Sequence, residues 1–173
     1  YNIGNTASRT WNLGGAVGYR WAHGNVRFSW HHHERKMGVF YGVKHPSPDD
    51  FRAQLELDIP VTADLWSRTY TIDRAYQEVA HDVGVLHGDF FGNWGELEAT
   101  YAFQLNDRQE FESVRENITG PQFDFTLRTH SLDVLYKHPS VVLPFGRLIG
   151  GVGLQGGFQE NVYRGLSLIP SFR

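Results

Sequence analysis

The sequence predicts an all-β protein: an antiparallel section of about six strands from a transmembrane β-barrel, with short turns at one end and long loops at the other. Three observations predict this fold. Several segments alternate apolar and polar side chains with the period of two that is typical of strands. Aromatic residues make up 14% of the chain, which also contains 19 glycines, and this composition favours strands and turns. Short and long connections alternate along the chain, as they do in outer-membrane barrels.

The first hairpin is predicted from the most regular alternation in the chain. A strand over residues 8–21 places a largely apolar set on one face: Leu13, Gly15, Val17, Tyr19 and Trp21. Residues 22–25 predict a tight turn, because Gly24 tolerates the positive φ that such turns need. The second strand begins at Val26, and its alternation places Phe28 and Trp30 on the same face as Val26.

Three consecutive histidines lie at the end of this second strand. His31 and His33 fall on its polar face, about 7 Å apart along the strand, so both imidazoles could reach one metal ion. A third ligand would have to come from a neighbouring strand. His31 and His33 are therefore an alternative prediction of a metal site, while the main expectation is that the protein has no metal site and no cofactor. His32 falls on the apolar face, which requires that the strand leaves the apolar zone there or that a bulge shifts its register.

A long connection over residues 33–74 separates the first hairpin from the second. Within it, Ser47 as N-cap and Pro48 at the first helical position predict a short helix. A third strand over residues 76–91 follows, and its faces are mixed, so the sequence leaves them unassigned. After a short turn at residues 92–96, the fourth strand has a clear apolar face: Leu97, Ala99, Tyr101, Phe103 and Leu105.

The third hairpin combines a strand over residues 123–138 with a strand over residues 147–159. The connection over residues 138–146 contains two prolines, which are expected to prevent strand pairing within it. Aromatic residues flank all three short turns, as they do in the aromatic girdle of a membrane barrel: Tyr19, Trp21, Phe90, Phe91, Trp94, Tyr136 and Phe145.

Composition excludes several classes of protein and site. The formal net charge of -3 argues against a nucleic-acid partner, since such proteins usually carry a basic excess. The absence of cysteine excludes disulfides and thiolate metal sites. No apolar run is long enough for a transmembrane helix, whereas the strands of a membrane barrel have ordinary average hydropathy. No nucleophile, metalloprotease or phosphate-loop motif is present, so we expect no enzyme activity.

Several segments resemble the barrel of a TonB-dependent outer-membrane receptor. In Tyr70–Phe90 the resemblance lies in an Arg-x-x-Gln-x-Val-x-His pattern formed by Arg74, Gln77, Val79 and His81. In Gly95–Phe111 it lies in a second pattern, formed by Tyr101, Gln104, Asn106, Arg108, Glu110 and Phe111. Leu127–Pro139 and the segment that begins at Gly151 resemble strands that follow in the same order. The resemblance covers most of residues 1–173, but no segment resembles the plug domain or the energy-coupling box of the family.

The resemblance implies an active-transport receptor in the outer membrane of a Gram-negative bacterium. Such a receptor binds and imports a scarce large ligand of the ferric siderophore, cobalamin or glycan class. Its partners would be outer-membrane lipid, the rest of the barrel and the plug, the TonB complex acting through the plug, and a surface lipoprotein. Since barrels of this class have about 22 strands, six strands would form an internal section, with periplasmic short turns and extracellular long loops. The implied substrate-binding residues are Arg74, Arg108, Arg115, Tyr70, Tyr76 and Tyr163.

Two other interpretations remain open at this point. One is a membrane barrel that does not transport with TonB energy, such as an adhesin or a pore. The other is a soluble β-barrel that binds a metal or a small ligand, because strands of soluble barrels also alternate. A protein that is monodisperse without detergent would contradict the membrane interpretation.

Overall fold

The computed structural model describes residues 2–40, 47–58, 66–67, 69–112 and 119–164. Within these ranges the chain forms one short helix and a series of strands. In chain order they are β1 (Asn2–Ile3), β2 (Ser8–Trp21), β3 (Gly24–Gly38), α1 (Pro48–Leu55), β4 (Trp66–Ser67), β5 (Tyr76–Gly92), β6 (Gly95–Phe111), β7 (Phe123–Lys137), β8 (Val141–Leu143), β9 (Gly146–Leu148) and β10 (Gly151–Tyr163).

The six long strands form one antiparallel sheet in the order β2, β3, β5, β6, β7, β10. Each long strand pairs with the long strands that precede and follow it in the chain, so the sheet is an up-and-down meander. This confirms the predicted all-β fold and the predicted number of long strands. The sheet is open, and β2 and β10 are its outer strands. Helix α1 also begins at Pro48, directly after Ser47, as the capping pattern predicts.

The connection between β7 and β10 differs from the prediction. β8 and β9 pair with each other, so the expectation that the two prolines prevent pairing was wrong. The physical reason is their position: Pro139 precedes β8, and Pro144 lies in the turn between the two strands. Neither proline therefore has to donate a hydrogen bond within the ladder. The last long strand accordingly begins at Gly151 rather than at Arg147.

Strand β3 continues through all three histidines without a bulge. Its pairing with β5 runs in unbroken register from Gly24 to Gly38, and the pairing with β2 is equally continuous. His32 lies opposite Leu13 on one side and Asp82 on the other. Of the two explanations for His32, the structure therefore excludes the bulge.

One face of the sheet is an exposed apolar surface. Cross-strand partners point to the same side, and the register places alternate residues of each strand in common rows. Among the described residues no hydrophobic side chain is buried, and many of the large exposed ones lie on this face. We call it the apolar belt and define it by Leu13, Val17, Tyr19, Phe28, Trp30, Leu86, Tyr101, Leu132, Val152, Leu154 and Phe158.

The apolar belt ends at the level of His32 towards the long loops. His32 Nδ1 lies 2.9 Å from Asp82 Oδ1, and its ring contacts Trp11 and Trp30, with ring centroids 5.2 and 6.0 Å away. The next rows on the same face carry Glu34 and the Lys36–Glu78 ion pair. The strands therefore extend beyond the belt with the same pairing and a polar surface. Among the described residues, no helix has the length and hydropathy needed to cross a membrane.

Candidate ligand-binding face

The face opposite the belt is lined mainly by polar side chains that the register arranges in rows. One row crosses the sheet as Asn12, His33, His81, Asn106, Leu127 and Asn161. The neighbouring row towards the short turns contains Gly14, His31, Val83, Gln104, Thr129 and Gln159. We call this side of the sheet the polar face. Carboxamides and imidazoles both donate and accept hydrogen bonds, so the surface can bind neutral polar groups as well as water.

Three aromatic rings gather on the polar face at the long-loop end. Phe123 lies 5.8 Å from Phe125 and 5.3 Å from Tyr163 between ring centroids. Phe125 and Tyr163 are cross-strand partners on β7 and β10. We call these three residues the ring platform. Stacked and tilted rings at this spacing present both flat faces and edges to a ligand.

Arg108 lies beside the ring platform, directly opposite Phe125 on β6. Its Nη2 contacts Glu110 Oε1 at 2.6 Å, and Glu110 also accepts a hydrogen bond of 3.0 Å from Gln77 Nε2. The Arg108 side chain keeps 45% of its surface exposed. The site therefore combines a partly neutralised guanidinium, a carboxylate, a carboxamide and three rings.

The structure brings together two of the predicted ligand-binding residues, Arg108 and Tyr163. They occupy one row on either side of Phe125, and Tyr163 is 58% exposed. Sequence reasoning missed Phe123 and Phe125, although two phenylalanines at spacing two after the charged loop are a signal that they share a strand face.

Arg74 lies at the base of the loop between β6 and β7 rather than on the polar face. Its guanidinium donates hydrogen bonds to the backbone carbonyls of Glu112, Thr119 and Gly120, and to Gln122 Oε1. Gln122 is 7% exposed, and its Oε1 also accepts the backbone N–H of Glu112. We call this group the loop clamp. The arginine donors are used within the protein, so Arg74 holds the two ends of the loop together.

The remaining predicted ligand-binding residues lie apart from the ring platform. Tyr76 stacks on Phe111 on the opposite face of the sheet, with ring centroids 4.3 Å apart, and Lys36 Nζ lies 3.7 Å from the Tyr76 ring centroid. Tyr70 is 81% exposed in the segment that precedes β5. Arg115 lies outside the described residues.

The alternative metal ligands His31 and His33 both lean towards β2. The His31 ring lies over Gly14, where an added Cβ would meet it at 2.4 Å, and His33 Nδ1 lies 2.5 Å from Asn12 Oδ1. The sequence alone could not say which residue on a neighbouring strand would supply a third metal ligand. In the structure the residue opposite His33 on β5 is His81. Over the ranges that the structure describes, no group of three or more His, Asp, Glu or Cys side chains has an arrangement that could hold a metal ion.

No protein-family model, no curated protein and no solved structure matches this chain. Assignment of its function therefore depends on the sequence patterns and on the two faces of the sheet.

Proposed function

We propose that this chain forms part of the wall of an outer-membrane receptor of the TonB-dependent type, which imports a large ligand past the polar face. The observation that carries the proposal is the contrast between the two faces of one sheet. The apolar belt has no described side chains packed over it, and Val17 and Val152 are 69% and 73% exposed. Lipid provides the cover that such a face needs, whereas soluble proteins rarely expose so large an apolar area.

The dimensions of the apolar belt support the membrane part of the proposal. On the belt side of β2, apolar side chains run from Leu13 through Tyr19 to Trp21, next to the turn, which is about 26 Å at about 3.3 Å per residue. A strand tilted by about 40° then spans about 20 Å of height, close to the apolar band of about 25 Å in membrane barrels.

Aromatic contacts at both ends of the belt also support a membrane location. At the short-turn end Tyr19 stacks on Trp21, and Trp94 stacks on Tyr136. At the other end Trp11 and Trp30 contact His32. Membrane barrels carry aromatic girdles at both interfaces.

The transport part of the proposal is supported by the sequence resemblance and by the ring platform. Aromatic faces stack on planar or amphipathic groups, and Arg108 can pair with a carboxylate. An adhesin or a pore would share the apolar belt but would not take up ligand in an energy-dependent way.

A cysteine scan of β3 tests the membrane location. This chain contains no cysteine, so each variant over residues 26–31 carries one nitroxide label. In the membrane-embedded protein we expect collisions with molecular oxygen to peak at Val26, Phe28 and Trp30. Collisions with a water-soluble nickel chelate should peak at Arg27, Ser29 and His31. In a soluble barrel the collision rates with oxygen and with the nickel chelate would not alternate in opposite phase along β3, and the protein would be monodisperse without detergent.

Uptake by an Arg108→Ala variant tests the role of the arginine beside the ring platform. We expect uptake to fall by less than about tenfold, or about 1.4 kcal/mol, because Arg108 is already paired with Glu110 and an exposed ion pair contributes little. The measurement is energy-dependent uptake of labelled ferric chelates, cobalamin and oligosaccharides, with Arg35→Ala as the matched control on the same face. Complete loss of binding in a normally folded variant would show that Arg108 dominates recognition.

A further inference from the structure

An apolar strip runs along β7 in the middle of the candidate ligand-binding face. Phe123, Phe125 and Leu127 lie on the polar face at spacing two, and all three are half-buried. The two phenylalanine ring centroids are 5.8 Å apart, and Leu127 follows about 7 Å further along the strand. We call these three residues the β7 strip. It is one side chain wide, because the neighbouring strands lie about 5 Å away on each side.

Polar groups flank the β7 strip on both sides. In three successive cross-strand rows, a residue of β7 lies between a polar residue of β6 and a polar residue of β10. From the long-loop end these rows are Arg108–Phe125–Tyr163, Asn106–Leu127–Asn161 and Gln104–Thr129–Gln159. We call the six outer residues of these rows the polar flanks. In the first two rows the flanks therefore place hydrogen-bonding groups about 10 Å apart, on either side of an apolar surface.

The four carboxamides of the polar flanks are available to a ligand. Asn106, Asn161, Gln104 and Gln159 make no side-chain hydrogen bond to another described residue, whereas the Gln77 carboxamide on the same face donates to Glu110. Each carboxamide has two N–H donors and an oxygen acceptor. The flanks can therefore form hydrogen bonds with ligand groups that donate and accept at once, as hydroxyl groups do.

The surface around the β7 strip has no net charge. On the polar face of Gln104–Glu110, Phe123–Thr129 and Gln159–Tyr163, the charged side chains are Arg108 and Glu110. They pair with each other at 2.6 Å. An anionic ferric chelate would be held by cations that are not already paired, because recognition of charge requires a complementary potential. The described part of this surface instead favours a neutral ligand.

We propose that the β7 strip and the polar flanks bind a neutral oligosaccharide. The proposal rests on the proposed function and selects one of its ligand classes. A sugar ring has an apolar C–H face and hydroxyl groups around its rim, so the C–H face packs on the strip while the hydroxyls bond to the flanks. The rings of Phe123 and Tyr163 are tilted by 59°. Successive sugar rings can turn about their glycosidic bonds to follow this tilt, whereas the single wide plane of a corrin cannot.

Binding of the full protein to an array of neutral, uronic-acid and sulfated oligosaccharides tests the ligand class. We expect neutral members to bind, with an affinity that is the same at low and high salt because salt screens only interactions between charges. Calorimetry with a ferric tricatecholate and with cyanocobalamin should show weaker binding. The proposal is overturned if no neutral oligosaccharide binds, or if an acidic oligosaccharide, the iron chelate or the cobalamin binds more tightly.

A pair of aromatic variants on β10 tests the position of the site. Tyr163→Ala removes a ring beside the β7 strip. Phe158→Ala is the matched control, because Phe158 is 64% exposed against 58% for Tyr163 but lies in the apolar belt. Against the neutral oligosaccharide that binds best, we expect Tyr163→Ala to raise the dissociation constant about tenfold and Phe158→Ala to leave it unchanged. Asn161→Leu, which keeps the size but removes the hydrogen bonds, should raise it about fivefold.

Equal dissociation constants for Tyr163→Ala and Phe158→Ala would refute the site. If Tyr163→Ala fails to fold, saturation-transfer NMR of the same oligosaccharide on the unmodified protein decides instead. Saturation concentrated on the C–H protons of one sugar face supports stacking on the β7 strip, and uniform saturation refutes it. A failed cysteine scan refutes the membrane receptor itself, whereas a successful scan without binding of any neutral oligosaccharide refutes the ligand class alone.

Discussion

Arg74→Ala is expected to lower the free energy of unfolding by about 2–3 kcal/mol, because it removes the charged member of the loop clamp. The guanidinium bonds to three backbone carbonyls and to Gln122 at once. After truncation, the buried Gln122 side chain keeps its bond to the Glu112 N–H but loses its charged partner. Urea unfolding of the protein in lipid vesicles, followed by tryptophan fluorescence, measures the change.

Two further variants separate the geometry of the clamp from its charge. Arg74→Lys is expected to recover only a minor part of the loss, because an ammonium is a compact point charge and lacks the planar fork that spans several acceptors. Arg108→Ala removes an arginine that makes one exposed ion pair and should cost less than about 1 kcal/mol. Equal losses for Arg74→Ala and Arg108→Ala would contradict the clamp, and so would full recovery by lysine.

The clamp belongs to a wider junction at the long-loop end of the sheet. Asn5, which is 7% exposed and has a φ of 56°, donates to the carbonyls of Val39 and Ala75 and accepts from the N–H of Asp73. The segment from Asp73 to Ala75 is thus tied to the start of β2 by Asn5 and to the β6–β7 loop by Arg74. Arg74 is therefore connected to the ring platform through Gln122, whose backbone N–H donates to the carbonyl of Glu110, the cross-strand partner of Phe123.

Alternation along the chain predicted clear faces for β2, β3 and β6, and β5 shows why it failed for another strand. On the belt side β5 carries Asp82, Gly84 and Gly88 beside Leu86 and Phe90, and on the polar face it carries Val83 and Val85. Neither side has a consistent hydrophobic period, so the sequence could not assign them. The assignment comes from pairing with β3 and β6, and these strands determine the faces of β5.

The site formed by the ring platform and Arg108 could be predicted only in part. Arg108, Phe125 and Tyr163 come from three strands, and the register that aligns them depends on long loops whose length does not fix pairing. The clamp role of Arg74 could not be predicted at all, because three of its four acceptor groups are backbone carbonyls. Backbone acceptors carry no side-chain signal in the sequence.

Val17→Arg should destabilise the membrane-embedded protein by about 2–4 kcal/mol, the cost of arginine on the lipid face of a barrel near the bilayer midplane. Val17 lies midway between Leu13 and Trp21 in the apolar belt and is 69% exposed, so the arginine meets no steric obstacle. Ala16 is the matched control, because it is the neighbouring residue of the same strand and is also exposed but lies on the polar face. Ala16→Arg should cost less than about 1 kcal/mol. Unfolding of both variants from lipid vesicles measures the difference. Because both positions are exposed and receive the same arginine side chain, a cost of this size that is confined to Val17→Arg points to the medium that each face contacts. Equal costs for the two substitutions would place water on both faces of the sheet and favour the soluble-barrel interpretation.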